Sequence, residues 1–344
     1  NYFDQIEISR GEIDATTLRV PLRVVLSPNL RTRYVAGVSY GTDEGAGVRG
    51  GIERRWVNDR GHQFFGEAEL AQRRSALYAE YAFPQFAAKI SRYTVATRWQ
   101  DEQTDNIDAK SFLVGANAIA RGHHWYAQAS LNVLDGSFLV GARSAGQERQ
   151  STRVVYPELR YERVLAEDRV RPDRGASLDV RVLGASDAVL SDVSLLQGRA
   201  TVKGVLPAGL GARLIAQVTL GATSTDDFSR LPPELRFFAG GDRSVRGYGY
   251  QDLGDRDAEG LAIGGRYLAT ASIEYEREFM PGWSAAGFID AGDVWSRGEP
   301  HLELGIGGGV RWRSPVGPIR IDIAHGFDDV AGGWQLHLSA GPDL

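Results

Sequence analysis

From Arg33 to the end of the chain, hydrophobic and polar positions alternate with a period of two. Leu196, Gly198, Ala200 and Val202 alternate with Gln197, Arg199, Thr201 and Lys203, and Leu214, Ala216, Val218 and Leu220 alternate with Arg213, Ile215, Gln217 and Thr219. Ala271, Ile273 and Tyr275 alternate with Ser272, Glu274 and Glu276, and Ile319, Ile321 and Ile323 with Arg320 and Asp322. This period predicts strands with one apolar face and one face that is often charged. Residues 1–30 differ. Ile6 and Ile8, then Val20, Leu22, Val24 and Leu26, predict two short strands ended by Pro28. Two strands cannot bury a core alone. Residues 1–30 therefore read as the remnant of a separate domain, and 31–344 as the main one.

The connections predict how the strands are arranged. Tight turns fall at Asn58-Asp59-Arg60-Gly61, Ala120-Arg121-Gly122, Pro207-Ala208-Gly209, Pro281-Gly282 and Pro315-Val316-Gly317-Pro318. Between them lie longer polar links at 101–108, 135–152, 186–193, 222–265, 296–301 and 325–333. A short link near Arg73-Arg74 and a longer one at 166–175 break the alternation. Short connections on one side and long ones on the other are what a transmembrane β-barrel shows, whereas a soluble sandwich spaces its turns evenly. The count is about sixteen antiparallel strands, each crossing an apolar slab with roughly ten residues. Trp56, Trp99, Trp125, Trp283, Trp295, Trp312 and Trp334 fall near strand ends, as interfacial girdle residues do.

Composition narrows this further. The 344 residues contain no cysteine, which removes disulfides, thiolate metal sites and cysteine nucleophiles. A net charge of −5 argues against a nucleic-acid groove. There is no apolar run long enough for a transmembrane helix, and the start at Asn1, mid-pattern and without a signal peptide, is expected of a mature or truncated chain. The 42 glycines beside a single methionine suit turn-rich β structure. A mean hydropathy of −0.27 is compatible with a barrel that is polar inside.

The longest link contains Gly240-Gly241-Asp242-Arg243-Ser244-Val245-Arg246-Gly247-Tyr248-Gly249-Tyr250. Glycines permit close backbone approach, and a guanidinium that leaves water needs a carboxylate. The loop is thus expected to fold inward, into a lumen that a sixteen-stranded barrel leaves open. Phe238–Tyr250 resembles the sixth-loop motif of the Omp85 superfamily, whose core is Val-Arg-Gly-Phe/Tyr. Phe288-Ile289-Asp290-Ala291-Gly292 is similar to the Phe-x-Asp-x-Gly motif that holds this loop in the same proteins. The resemblance implies Val245, Arg246, Gly247 and Tyr248 as the docking motif, with Arg246 on Asp290 beside Phe288 and Gly292. Strand alternation independently turns Glu274 and Glu276 inward as further acceptors. Gly305, Gly307 and Gly309 share one face of a strand and are expected to leave room for the loop. A dinucleotide site at these glycines is excluded, because no helix follows them.

In the closing strand Leu336, Leu338 and Ala340 face outward, and Gly341-Pro342 follows. The partner strand turns Tyr34, Ala36, Val38 and Tyr40 outward. Proline cannot donate to a ladder, so this seam is either a weak lateral gate or simply where the barrel ends.

Catalysis finds no motif. The six histidines lack metal-ligand spacing, and no serine elbow or phosphate loop occurs. No enzyme, cofactor or metal is predicted; the acidic run at Asp252, Asp255, Asp257 and Glu259 lacks EF-hand spacing. The longer loop sequence and Gly341-Pro342-Asp343-Leu344 are most similar to the TamA branch of the superfamily, the translocation and assembly module subunits. That resemblance implies a monomeric barrel in a Gram-negative outer membrane, with its N-terminal side in the periplasm and residues 1–30 ending a POTRA domain. It also implies a TamB-like inner-membrane-anchored partner and unfolded outer-membrane proteins such as autotransporters as substrates, with phospholipid traffic as a further role. Two alternatives stand beside it: a two-partner-type secretion pore, and a diffusion porin, which would need neither motif.

Overall fold

The structure, a computed structural model, describes residues 3–12, 17, 20–42, 45–85, 89–142, 148–166, 168, 171–209, 211–314, 317–328 and 331–340. Among the described residues, strands β1 (Phe3–Arg10) and β2 (Leu22–Pro28) pair only with each other, antiparallel. Sixteen further strands form one antiparallel sheet. They are β3 (Thr32–Gly41), β4 (Gly45–Arg54), β5 (Gln63–Ala71), β6 (Arg74–Pro84), β7 (Arg92–Gln103), β8 (Ile107–Arg121), β9 (Trp125–Val140), β10 (Gln150–Leu165), β11 (Gly175–Ala185), β12 (Leu195–Pro207) and β13 (Ala212–Thr225). After β14 (Asp255–Arg256) and β15 (Ala262–Gly264), which lie within the long link, the sheet resumes. Its last members are β16 (Tyr267–Met280), β17 (Trp283–Trp295), β18 (Glu303–Ser314), β19 (Gly317–Gly326) and β20 (Trp334–Ala340). Each strand pairs with its sequence neighbour, and β13 pairs with β16 across the long link.

The alternation read from the sequence decides which side chain faces where. In β16, Leu268, Thr270, Glu274 and Glu276 are buried, while Ala271, Ile273 and Tyr275 are exposed. Exposed Tyr34, Val48, Leu77, Leu131, Val218 and Ile289 continue this apolar outer surface around the sheet. So large an exposed apolar surface belongs in lipid. Trp283 stacks on Trp312 at the end with the short links, with ring centroids 5.5 Å apart. Tyr267 lies against Trp295 at the end with the long links. Indole rings at both edges of the apolar band form the two interfacial girdles.

The sheet curls until its first and last strands meet, and there the pattern changes. A Cβ on Gly41 of β3 would sit 3.6 Å from the Leu338 carbonyl of β20. Yet no ladder joins β3 to β20 among the described residues, so the barrel is nearly closed.

The lumen is occupied. The link between β13 and β16 turns inward and buries Leu231, Leu235, Phe237, Ala239, Val245, Tyr248 and Leu253. Leu231 and Leu235 pack on lumen-facing Leu134, Val154, Tyr156, Leu183, Val193 and Leu195. This part of the lumen wall is apolar because it is covered by loop and not by water.

Candidate functional site

The docked loop is built around short, obligate turns. Gly241 N–H bonds the Tyr248 carbonyl at 3.1 Å and closes the segment that presents Val245–Gly247. Gly247 has φ of +98°, and a Cβ there would lie 2.5 Å from Gly326 N. No other residue fits that approach.

Arg246 leaves the turn and enters a carboxylate cage. Its Nε donates to Asp290 Oδ2 at 2.7 Å and its Nη2 to Asp290 Oδ1 at 3.0 Å, a bidentate grip. Its backbone N–H also donates to Asp290 Oδ2, at 3.0 Å. Nη1 reaches Glu274 at 2.8 Å and Asp322 at 3.2 Å. The guanidinium lies over the Phe288 ring with its carbon 3.3 Å from the centroid, in reach of a cation–π contact. Arg311 pairs with the other oxygens of Glu274 and Asp322. Burial by itself would lower the Arg246 guanidinium; the hydrogen bonds and charge of Asp290 outweigh that and raise it above the ordinary arginine value. Arg236, in the same loop, shows the contrast. It donates to the carbonyls of Leu231, Ser229 and Ile263, and burial pulls it down to about 10 despite Asp227.

The remaining residues of the motif each find a fitted seat. Val245 is fully buried, and a Cβ on Gly292 would crowd its Cγ2 at 2.9 Å. Tyr248 Oη donates to the Leu304 carbonyl at 2.9 Å and accepts from Phe327 N–H and Asp328 N–H at 3.2 and 3.3 Å.

Two expectations need correction. Glu276 does not meet Arg246. It lies two residues beyond Glu274, about 7 Å further along the strand, and pairs with Arg213 at 2.6 Å and Arg171 at 2.8 Å. This is a second charge centre, at the short-link end. Arg213 there also donates to the Pro172 carbonyl, in the described end of the longer 166–175 link. Of the three strand glycines, only Gly305 meets the loop, where a Cβ would overlap the Arg246 carbonyl. Gly307 makes room for the Phe288 ring, and Gly309 for the Asp322 carboxylate. They shape the cage because the loop crosses at the height of Gly305 alone.

At the seam, Tyr34, Ala36, Val38, Tyr40 and Leu336 are exposed and Leu338 is half-buried. Ala340 ends β20 in register with Ile319, and Gly341 lies outside the described residues, as does the tetrapeptide it begins.

Several residues of the site went unnoticed in the sequence. Asp322 and Arg311 carry only the inward parity of their strands as a signal. Asn106 holds the loop tip by donating to the Gln251 and Ala262 carbonyls, both at 3.0 Å. Asp257 accepts from Ala142 N–H at 2.6 Å. Contacts such as these, made across more than a hundred residues, leave no local pattern. Among the described residues no group of three or more His, Asp or Glu is placed to hold a metal.

Sixteen strands with a lipid-facing surface and an inward loop pinned by Arg246 define a plugged transmembrane β-barrel. The Omp85 superfamily domain matches residues 57–341, and the chain belongs to that superfamily. A 115-residue part is 35% identical to the outer membrane protein assembly factor BamA of Nitratidesulfovibrio vulgaris, covering 31% of this chain and 14% of that protein. The fold is similar to the crystal structure of BamA from Haemophilus ducreyi lacking POTRA domains 1–3, with a TM-score of 0.84 at 15% identity over 99% of this chain and 75% of that one. CdiB from Acinetobacter baumannii aligns at a TM-score of 0.59 and 13% identity, over 99% of this chain and 66% of its own. CdiB from Escherichia coli aligns at 0.60 and 12%, over 98% and 67%.

Proposed function

We propose that this chain is the membrane barrel of an outer-membrane protein assembly factor that releases substrate strands sideways, through the seam between β3 and β20. The observation that carries the reading is that no ladder joins that seam among the described residues, in a sheet whose other neighbours are all paired. An unpaired edge offers N–H and C=O groups on which another strand can template. The filled lumen supports the same route, because a chain passing along the axis would first have to unseat Arg246 from three carboxylates. This counts against the secretion-pore and porin alternatives.

Within the superfamily, the loop sequence favours the TamA branch. On that reading the short-link end faces the periplasm of a Gram-negative cell, and β1–β2 closes a POTRA domain. A TamB-like inner-membrane-anchored partner would meet the periplasmic side of the barrel. Unfolded barrels, autotransporters among them, would be the substrates, and no cofactor takes part.

Reconstitution tests the activity. Liposomes carrying this barrel should fold a urea-diluted autotransporter barrel faster than empty liposomes, by about tenfold or more, a barrier change of about 1.4 kcal/mol. Equal rates with and without the barrel, in liposomes that also carry the partner, would remove the assembly reading.

A further inference from the structure

The docking motif reaches the closing strand as well as the wall, and it does so through one imidazole. Gly247 N–H donates to His337 Nε2 at 3.0 Å. His337 is 4% exposed and stands on the lumen face of β20, opposite Asp322 in the ladder. On that face Gln335 and Ser339 make no hydrogen bond to the loop among the described residues. β20 is paired with β19 from Ile319↔Ala340 to His325↔Trp334 and with no strand on its other side. It is thus held by one ladder and by the loop.

The bond to the loop is lopsided. Because Nε2 accepts, the neutral ring carries its proton on Nδ1. That Nδ1 is buried and has no hydrogen-bond partner among the described residues. An unpaired buried donor cancels part of what the accepted bond contributes, and it regains a partner once the strand moves into a wetter setting. Release of β20 therefore costs less than breaking a fully satisfied contact. Arg246 is the opposite case, with carboxylate acceptors on β16, β17 and β19 and the Ser272 hydroxyl beside them.

We infer that His337 is a positioning residue that latches the closing strand to the docked loop. Opening the seam breaks the Gly247–His337 bond and leaves Arg246 seated. The inference deepens the lateral-opening reading and rests on it. The loop thereby acts on the gate directly, through the only motif residue whose donor is a bare backbone N–H held at positive φ.

The test uses the full chain, folded in liposomes, with Tyr40→Cys and Leu338→Cys across the seam. A short oxidant pulse reads the fraction of barrels whose seam is closed. His337→Ala should slow crosslinking about two- to tenfold, the range for loss of one hydrogen bond. His337→Gln keeps an acceptor oxygen for Gly247 N–H and should stay within about twofold of the parent. An Ala variant that crosslinks like the parent, or a Gln variant as slow as Ala, would overturn the latch. Should the Ala variant fail to fold, exchange of the Gly247 amide in the His337 protein decides. Locking the seam with the disulfide should slow that exchange at least about tenfold, since exchange follows opening, and an unchanged rate overturns the inference. Assembly activity is not read in either measurement, so failure of the assembly reading would show only in the liposome folding rates.

Discussion

β16 and β17 are joined from Tyr267↔Trp295 to Met280↔Trp283, and their lumen faces share the Arg246 cage. β20 and β3 come within contact distance, at Gly41 and Leu338, and share no ladder among the described residues. Both are antiparallel neighbours in one sheet with the same outward apolar pattern. The difference lies on the lumen side. At β16–β19 three carboxylates and two guanidiniums are buried together as ion pairs, and removing any one strands a charge. At the seam, His337 is the β20 side chain that hydrogen-bonds the docked loop, and its Nδ1 has no partner among the described residues. On the proposed lateral-opening reading, the barrel concentrates its holding interactions away from the place where it would part, and motion at β20 would leave Arg246 seated.

Several changes would break or sharpen this contrast. Gly305→Val is expected to have the largest effect, since its side chain would overlap the Arg246 carbonyl and keep the loop from seating. Thiol labelling of Ser244→Cys, in a chain with no other cysteine, should then change from slow to fast. Arg246→Ala comes next. It leaves Asp290, Glu274 and Asp322 together with Arg311 as their one remaining cation in the cage, and should cost about 3–5 kcal/mol in urea unfolding. The seam pair should still crosslink. Tyr248→Phe removes one donor and strands the Asp328 N–H, while the Phe327 N–H keeps the Leu304 carbonyl, for about 1–3 kcal/mol by the same measurement. Glu276→Gln should loosen the short-link end, exposing the chain around Arg171 and Pro172 to protease, while Ser244→Cys labelling stays slow. Arg33→Gln marks the lower limit. Its pair with Glu53 is 3.7 Å long and mostly solvated, so the change should stay within about 0.5 kcal/mol.

Much of this fold is legible in the sequence because strand period and link length are local. The alternation of Ile319, Ile321 and Ile323 with Arg320 and Asp322 is enough to assign faces, and turns such as Pro281-Gly282 are enough to separate the ends. The inward parity of Glu274 and Glu276 was equally clear, but parity does not give height. Only the register of β16 shows that Glu276 stands level with Arg213 and Glu274 with Arg246. The apolar lumen patch around Val154 and Tyr156 was hidden for another reason. A lumen wall covered by a loop is dry, and nothing in β10 says where Leu231 and Leu235 will lie. His337 shows in the sequence only the inward parity of its strand, since its partner is a backbone amide ninety residues away.

The central claim is that β3 and β20 must part for the chain to work. Tyr40→Cys and Leu338→Cys make the direct test, because both face outward near the point where Gly41 approaches Leu338. Autotransporter assembly would be followed in cells with the pair oxidised and then reduced. Assembly should stop on oxidation and recover on reduction. Full assembly through a seam shown to be crosslinked would contradict the account and return the lumen to consideration as the path.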